Sequence, residues 1–421
     1  MCLGAVCSAI CCFGSACCSC ICKGLSACGV PAKNFPKVAY LITDILFMAL
    51  SVIMLYTMKP LFEEYDWLEC NDSSGGGDRC FGTAAVMRAS FILFLYHILI
   101  LIFLIPRAHC SSYIHDGFFA FKFLLIIGGY IGSFWIHNDF FKGWAEFCRG
   151  GSILYLFIQA YFLLNFAYLW NDKLVEAQNT SQACYANFLL CGFSIILAVV
   201  NAAWLALQYV WYAGCGVGIY SVTLSLVFFI FYYAVALSKL CDVTIFRPNA
   251  TVFVVGFSST YVVYLSWTAL ASHPDIECNE MIDSGANTAM QIIIGTVFTF
   301  ITMFSIATAA ADPQGTKQAV GQDIIEEDTE TAKPVTEEDK ELAIFPVTFQ
   351  TMFYQVIMVL LSLYFGMLFT NWGYAIVDGE IDKQTDNALF SMWVKLIAQI
   401  VTVLLFTISV MIYVCDQNRY I

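Results

Sequence analysis

Long apolar runs set the pattern of this chain. Ten of them reach the length of a membrane-crossing helix, at about 38–58, 86–106, 117–137, 150–174, 184–208, 217–239, 251–271, 288–310, 347–369 and 391–414. A helix needs roughly 20 apolar residues to cross about 30 Å of hydrocarbon. Proline breaks helix interiors. In this division Pro31, Pro36, Pro60, Pro106, Pro248, Pro274, Pro313, Pro334 and Pro346 all fall in connections or at segment ends. The expected fold is therefore all-α: a polytopic membrane protein of ten transmembrane helices.

The run from Ser152 to Lys173, SILYLFIQAYFLLNFAYLWNDK, stands apart. It carries Gln159 and Asn165 in mid-span and closes on Trp170, Asn171 and Asp172. An unpaired amide in hydrocarbon costs about 2–7 kcal/mol, so a purely lipid-facing helix would not keep two. The apolar pattern continues to Gln178, and a helix from Gly150 would be roughly 43 Å long, more than the hydrocarbon is thick. The expectation is a long, tilted fourth helix enclosed by the others. An ordinary span whose amides bond its neighbours is the simpler alternative.

Composition agrees with the pattern. The 421 residues are 60% hydrophobic and 12% charged, well below the roughly 25% charged of soluble domains. The net charge of −13 argues against a nucleic-acid partner. The densest acidity sits in residues 312–346, with ten acidic residues and three lysines. High charge with low hydrophobicity predicts a disordered linker there, either a solvated loop or a docking or sorting site. The expected division is a Cys-rich segment (1–37), spans one to eight (38–311), this linker (312–346), then spans nine and ten with a short tail (347–421).

An even number of spans places both termini on one side, expected to be cytosolic, although Lys and Arg counts barely favour it. The loop after the first span adds a clue. Cys70 and Cys80 flank a Gly-rich turn, and Asn71 begins an N-x-S sequon. A disulfide and a glycan there would fit a lumenal or extracellular face; free cysteines and a chance sequon are the alternative. Sequons at Asn179 and Asn249 fall on the other side and are expected to be unmodified.

Nine cysteines lie in the first 28 residues. They can pack as small apolar residues. Cys11, Cys12, Cys17, Cys18, Cys20 and Cys22 can also be S-acylated beside a span. Their spacing matches no metal site, and no cofactor is called for. Inside the spans, Asp44, Arg88, Lys122 and Lys395 are charged. Amides at Asn187, Asn201, Gln208, Gln291, Gln350, Gln355 and Gln399 add a polar interior. Lys122 and Lys395 have stems long enough to snorkel. Asp44 does not, so a neighbouring helix or a proton is expected to satisfy it. Gln159, Asn165, Trp170, Asn171, Asp172, Asp44, Arg88, Gln291 and Gln355 are the candidates for a lipid or substrate pathway. Phosphate loop, HExxH and nucleophile elbow are all missing, so no catalytic residues are assigned and an enzyme is not expected.

Six stretches in order make the chain resemble the serine incorporator family, also called TMS or TDE membrane proteins. They are CCFGSACCSC (11–20), MRASFILFLYHILI (87–100), DGFFAFKFLLIIGGYIGSFWI (116–136), FIQAYFLLNFAYLWND (157–172), YLSWTALASHPDIECN (264–279) and LYFGMLFTNW (363–372). Asn165 stands where the family has an aspartate, Tyr168 where it has a histidine and Asp172 where it has a glutamate. Any role of that mid-helix aspartate is thus open here. The resemblance implies ten spans in two subdomains joined by the long fourth helix, and a homo-oligomer. It also implies a part in serine delivery for phosphatidylserine and sphingolipid synthesis, or non-energised phospholipid scrambling. Expected partners are membrane lipids, with lipid-synthesis enzymes or sorting factors at 312–346. A structural membrane subunit without transport is the alternative. The expected location is an endomembrane or the plasma membrane.

Overall fold

The computed structural model describes residues 35–64, 77–107, 109–178, 183–240, 251–282, 284–309, 347–372 and 381–417. The expected linker, the N-terminal cysteines, Cys70, Asn71, Asn179 and Asn249 lie outside them. The elements are α1 (Phe35–Glu64), α2 (Gly77–Leu104), α3 (His109–Asp116), α4 (Phe119–Ser133) and α5 (Asn138–Ala177). A short α6 (Ala183–Asn187) runs through a π-helical turn (Phe188–Phe193) into α7 (Ser194–Tyr212). Then come α8 (Gly216–Leu240), α9 (Val252–Leu270), α10 (Gly285–Ala309), α11 (Phe349–Phe369) and α12 (Ile381–Gln417). No strand occurs among the described residues.

Every apolar run lies in a helix, and the fold is polytopic and all-α as expected. Eight described helices are long and apolar enough to cross a membrane. The third run is α4, with only 15 residues, about 22 Å of helix. It ends at Ser133 because Phe134, Trp135 and Ile136 form turns on the carbonyls of Ile131, Gly132 and Ser133. Proline is also a weaker marker than expected, since α1 continues past Pro60 to Glu64.

The fourth run begins earlier than its hydropathy suggests. α5 has 40 residues, about 60 Å, because residues 138–149 are helical. Charges end an apolar window without ending a helix. Here Asp139 sits in the first turn, where it favours the helix dipole, and pairs with Lys142 at 2.8 Å. Arg149 pairs with Glu146 one turn apart.

The chain forms two compact units. One takes the chain through Ser152 and the stretch Ile306–Thr370, so it holds α1–α4, the first part of α5 and α11. Within it α11 lies along α2, and glycines allow the approach. A Cβ on Gly366 would meet Ser90 Oγ at 2.9 Å, and one on Gly151 would meet Leu363 Cδ1 at 2.2 Å. Trp144 stands over the same contact and donates Nε1–H to Ser90 Oγ at 3.0 Å.

The other unit holds the rest of α5, α7–α9, α10 through Ser305, and α12. Its core joins Leu164, Tyr168, Tyr232, Val254, Val262 and Phe406. The helix enclosed by protein is α9, not α5. The α9 window is 83% buried and the α5 window 56%. Leu154, Leu169 and Trp170 are exposed, as are Asp172 and Lys173. The expected enclosed strut is therefore half right: α5 is long, but one of its faces is open. A disulfide joins Cys215, before α8, to Cys278, after α9. The sequence reading placed no bond there, because 63 residues separate the two and neither flanks a local turn with the other.

Gly366→Val is expected to destabilise the first unit by about 1–3 kcal/mol, the usual cost of overpacking. A melting curve in detergent should fall, and fall less for Gly366→Val in a Ser90→Ala background.

Candidate functional site: buried polar clusters and a surface-open cavity

In the first unit a fully buried trio lies among α1, α2 and α11. His97 Nε2 meets Asp44 Oδ2 at 2.8 Å, and His97 Nδ1 meets Gln355 Oε1 at 3.0 Å. All three residues are 0% exposed. Asp44 thus finds a partner for Oδ2 on a neighbouring helix, as expected. Sequence reasoning missed His97 because 53 residues separate it from Asp44 and no local spacing joins them.

A second cluster gathers around Lys122. Its ammonium donates to Tyr40 Oη and to the His115 carbonyl, both at 2.7 Å, and lies over the Phe119 ring. Lys122 therefore turns into the protein instead of snorkelling, and is buried. His115 bonds Asp116 through Nδ1 at 2.6 Å. Burial pushes the His115 imidazole below its ordinary value, and Asp116 opposes that shift.

Lys122 also lines a cavity of about 420 Å³, together with Tyr96, Leu99, Ile100, Phe103, Ile114, Phe118, Phe121 and Leu125. Leu99, Phe103, Phe118, Phe121 and Leu125 are all exposed, so the cavity opens at the protein surface. Phe118 has φ of 59°, a strained backbone for a bulky residue.

Arg88 has a different task. Its guanidinium donates to the carbonyls of Ser133, Ala84 and Ile136 and to Asn138 Oδ1, between 2.7 and 3.2 Å. It thereby caps the carbonyls at the end of α4 and holds the start of α5, with its face over Phe141. This role is positional.

In the second unit the polar groups converge on α9. Gln159 of α5 is buried, accepts from Tyr261 Oη at 3.2 Å and donates to Thr299 of α10 at 3.4 Å. Asn201 of α7 donates to Ser259 and Thr260. Gln208 of α7 donates to the Val263 carbonyl and accepts from Ser266. Gln399 of α12 reaches Ser225 of α8 and the Val262 carbonyl. Lys395 of α12 donates to the Thr268 carbonyl and to Ser272 Oγ. The serines and threonines of α9 were the missed partners. Their sequence signal is SST at 258–260 and SWT at 266–268 inside an apolar run.

The other candidates scatter. Asn165 is half-buried. Asn171 is buried and accepts from Thr251 at the start of α9, while Trp170 is 39% exposed. Gln291 is buried, with its backbone carbonyl bonded by Tyr264. Asp44 and Gln355 meet in one unit, and Gln159 belongs to the α9 cluster in the other. Cys215, His273 and Cys278 bring three potential ligand atoms within 4.8 Å, but the two sulfurs are bonded to each other.

Fold and clusters together define a polytopic, all-α integral membrane protein with its polar side chains turned inward. The family model described as "Serine incorporator (Serinc)" matches residues 10–419, and the chain belongs to that family. A probable serine incorporator of Nematostella vectensis is 26% identical over 366 residues, covering 78% of each chain. Serine incorporator 2 of Mus musculus is 27% identical over 323 residues, covering 70% of this chain and 67% of its own. Serine incorporator 5 of the same species is 30% identical over 261 residues, covering 56% and 54%.

Arg88→Met is expected to destabilise the protein by about 3–5 kcal/mol, because it leaves helix-end carbonyls buried without donors. Equilibrium unfolding in bicelles measures this, and Arg88→Lys should recover only part of the loss.

Proposed function

We propose that this protein handles membrane lipid without covalent chemistry, supporting serine incorporation into phosphatidylserine and sphingolipids, and that its direct activity is non-energised phospholipid scrambling. The supporting observation is the cavity between α2, α3 and α4. Its volume of about 420 Å³ lies within the range of small-molecule sites, about 300–1,000 Å³. Its walls are apolar and open at the exposed surface, which suits an acyl chain. Lys122 is the only cationic residue in its lining, and its charge suits the phosphate or carboxylate of a headgroup. A phospholipid combines both chemistries.

The names of the relatives favour a second reading, in which the protein presents serine to lipid synthesis. The two readings separate in purified vesicles. Serine delivery leaves flip rates unchanged while loss of the protein lowers serine incorporation into lipid. Scrambling changes the flip rate directly.

Reconstituted into liposomes with a fluorescent phosphatidylserine, the protein is expected to expose inner-leaflet label to an external quencher within minutes. Vesicles lacking protein should keep that label protected. Leu99→Trp, which fills the cavity, should slow exchange several-fold while the protein stays folded. Exchange no faster than in empty vesicles would refute scrambling.

A further inference from the structure

We propose that the second unit binds a single water molecule, enclosed among α5, α8, α9 and α12 and held by the hydroxyls of Tyr232 and Ser258. This goes beyond lipid handling and does not depend on it. A cavity of about 10 Å³ lies where these helices meet. Its polar wall is Tyr232 of α8, Ser258 and Tyr261 of α9 and Thr402 of α12. Its apolar wall is Ala160, Leu163 and Leu164 of α5 with Phe257 of α9. Apart from Phe257, all of these residues are buried. A water needs roughly 10–15 Å³ and about two to four polar partners. The cavity therefore has the size of one molecule.

Two of the hydroxyls supply the partners. Tyr232 Oη and Ser258 Oγ are both buried with no hydrogen-bond partner in the protein. The others are occupied: Tyr261 donates to Gln159 Oε1, and Thr402 donates to the Ala398 carbonyl. Ser258 is an exception on its own helix. Ser259, Thr260 and Thr268 of α9 bond back onto α9 carbonyls, and Ser266 bonds Gln208. A serine inside a helix has that backbone option, and Ser258 does not take it. Tyr232 is too long for it. The Tyr232 ring lies against Phe406 of α12, with centroids 4.3 Å apart, which restrains where its hydroxyl can go.

Water suits this pair better than other small ligands. Each hydroxyl has a proton to give and lone pairs to accept with. One water can accept from one hydroxyl and donate to the other, so both are served with no change of charge. No charged side chain lines the cavity, so an ion would find no counter-charge there. An apolar occupant would leave both hydroxyls unserved. Hydrocarbon supplies no hydrogen bonds in their place. The bound water thus acts as a fixed bridge between α8 and α9.

Solid-state NMR of the full chain in bilayers, with tyrosine and serine labelled, tests the site. Magnetisation that starts on water protons should reach the Tyr232 ring and the Ser258 Cβ, although both residues are buried. The Tyr232 signal is recognised by its loss in Tyr232→Phe, and the Ser258 signal by its loss in Ser258→Ala. In Ser258→Ala the transfer to Tyr232 should fall several-fold, because the water keeps only one of its hydroxyl partners. Absence of transfer in the parent protein, or transfer to Tyr232 unaltered by Ser258→Ala, would overturn the proposal. If neither variant folds, an electron cryo-microscopy map of the parent fine enough to show waters carries the test. One density is expected within hydrogen-bond reach of both Tyr232 Oη and Ser258 Oγ. A direct bond between the two hydroxyls, or no density beside them, would contradict the bridge.

Discussion

Hydrocarbon offers no hydrogen bonds, so each polar side chain within a span must find its partner inside the protein. That single constraint explains which faces of these helices meet. Gln159 comes from α5, Asn201 and Gln208 from α7 and Gln399 from α12, and all of them bond to α9, Gln159 to α10 as well. In the first unit Asp44 joins α1 to α2, and Gln355 adds α11. Apolar contacts alone would not fix these registers, because lipid tails are as apolar as leucine.

Two ways of burying charge follow from it. Arg88 spends its donors on backbone carbonyls at a helix end, and so converts a broken connection into a firm corner. Asp44 is paired instead with a side chain of a neighbouring helix, His97, which also meets Gln355. Lys122 is intermediate, bonded to a hydroxyl and a carbonyl while lining a cavity that opens to the exposed surface.

Fold class, the helical nature of each apolar run and the great length of α5 were legible in the sequence. Hydrophobicity reports them directly, and so did the amides of α5 and the carboxylate of Asp44. What each amide bonds to was not legible, because partners such as Thr299 for Gln159 lie 140 residues away. The central helix was misplaced for a related reason. Serine and threonine satisfy themselves on their own helix, as Ser259 and Thr260 do on Gly256, so α9 carries its polarity without a single amide or charged side chain. Glutamine and asparagine on α5 are louder, though that helix exposes Leu154 and Trp170. The short α4 and the early start of α5 escaped because a hydropathy window sees apolar length and not hydrogen-bonded turns.

The inward-facing bond between Gln159 and its neighbours on α9 and α10 is the most direct point of test. A double-mutant cycle of Gln159→Leu with Tyr261→Phe, read by unfolding in bicelles, isolates it. The expected result is a destabilised single mutant and a coupling of about 0.6–1.7 kcal/mol, the range for hydrogen bonds between membrane helices. A Gln159→Leu protein as stable as the parent, with no coupling to Tyr261, would contradict the account.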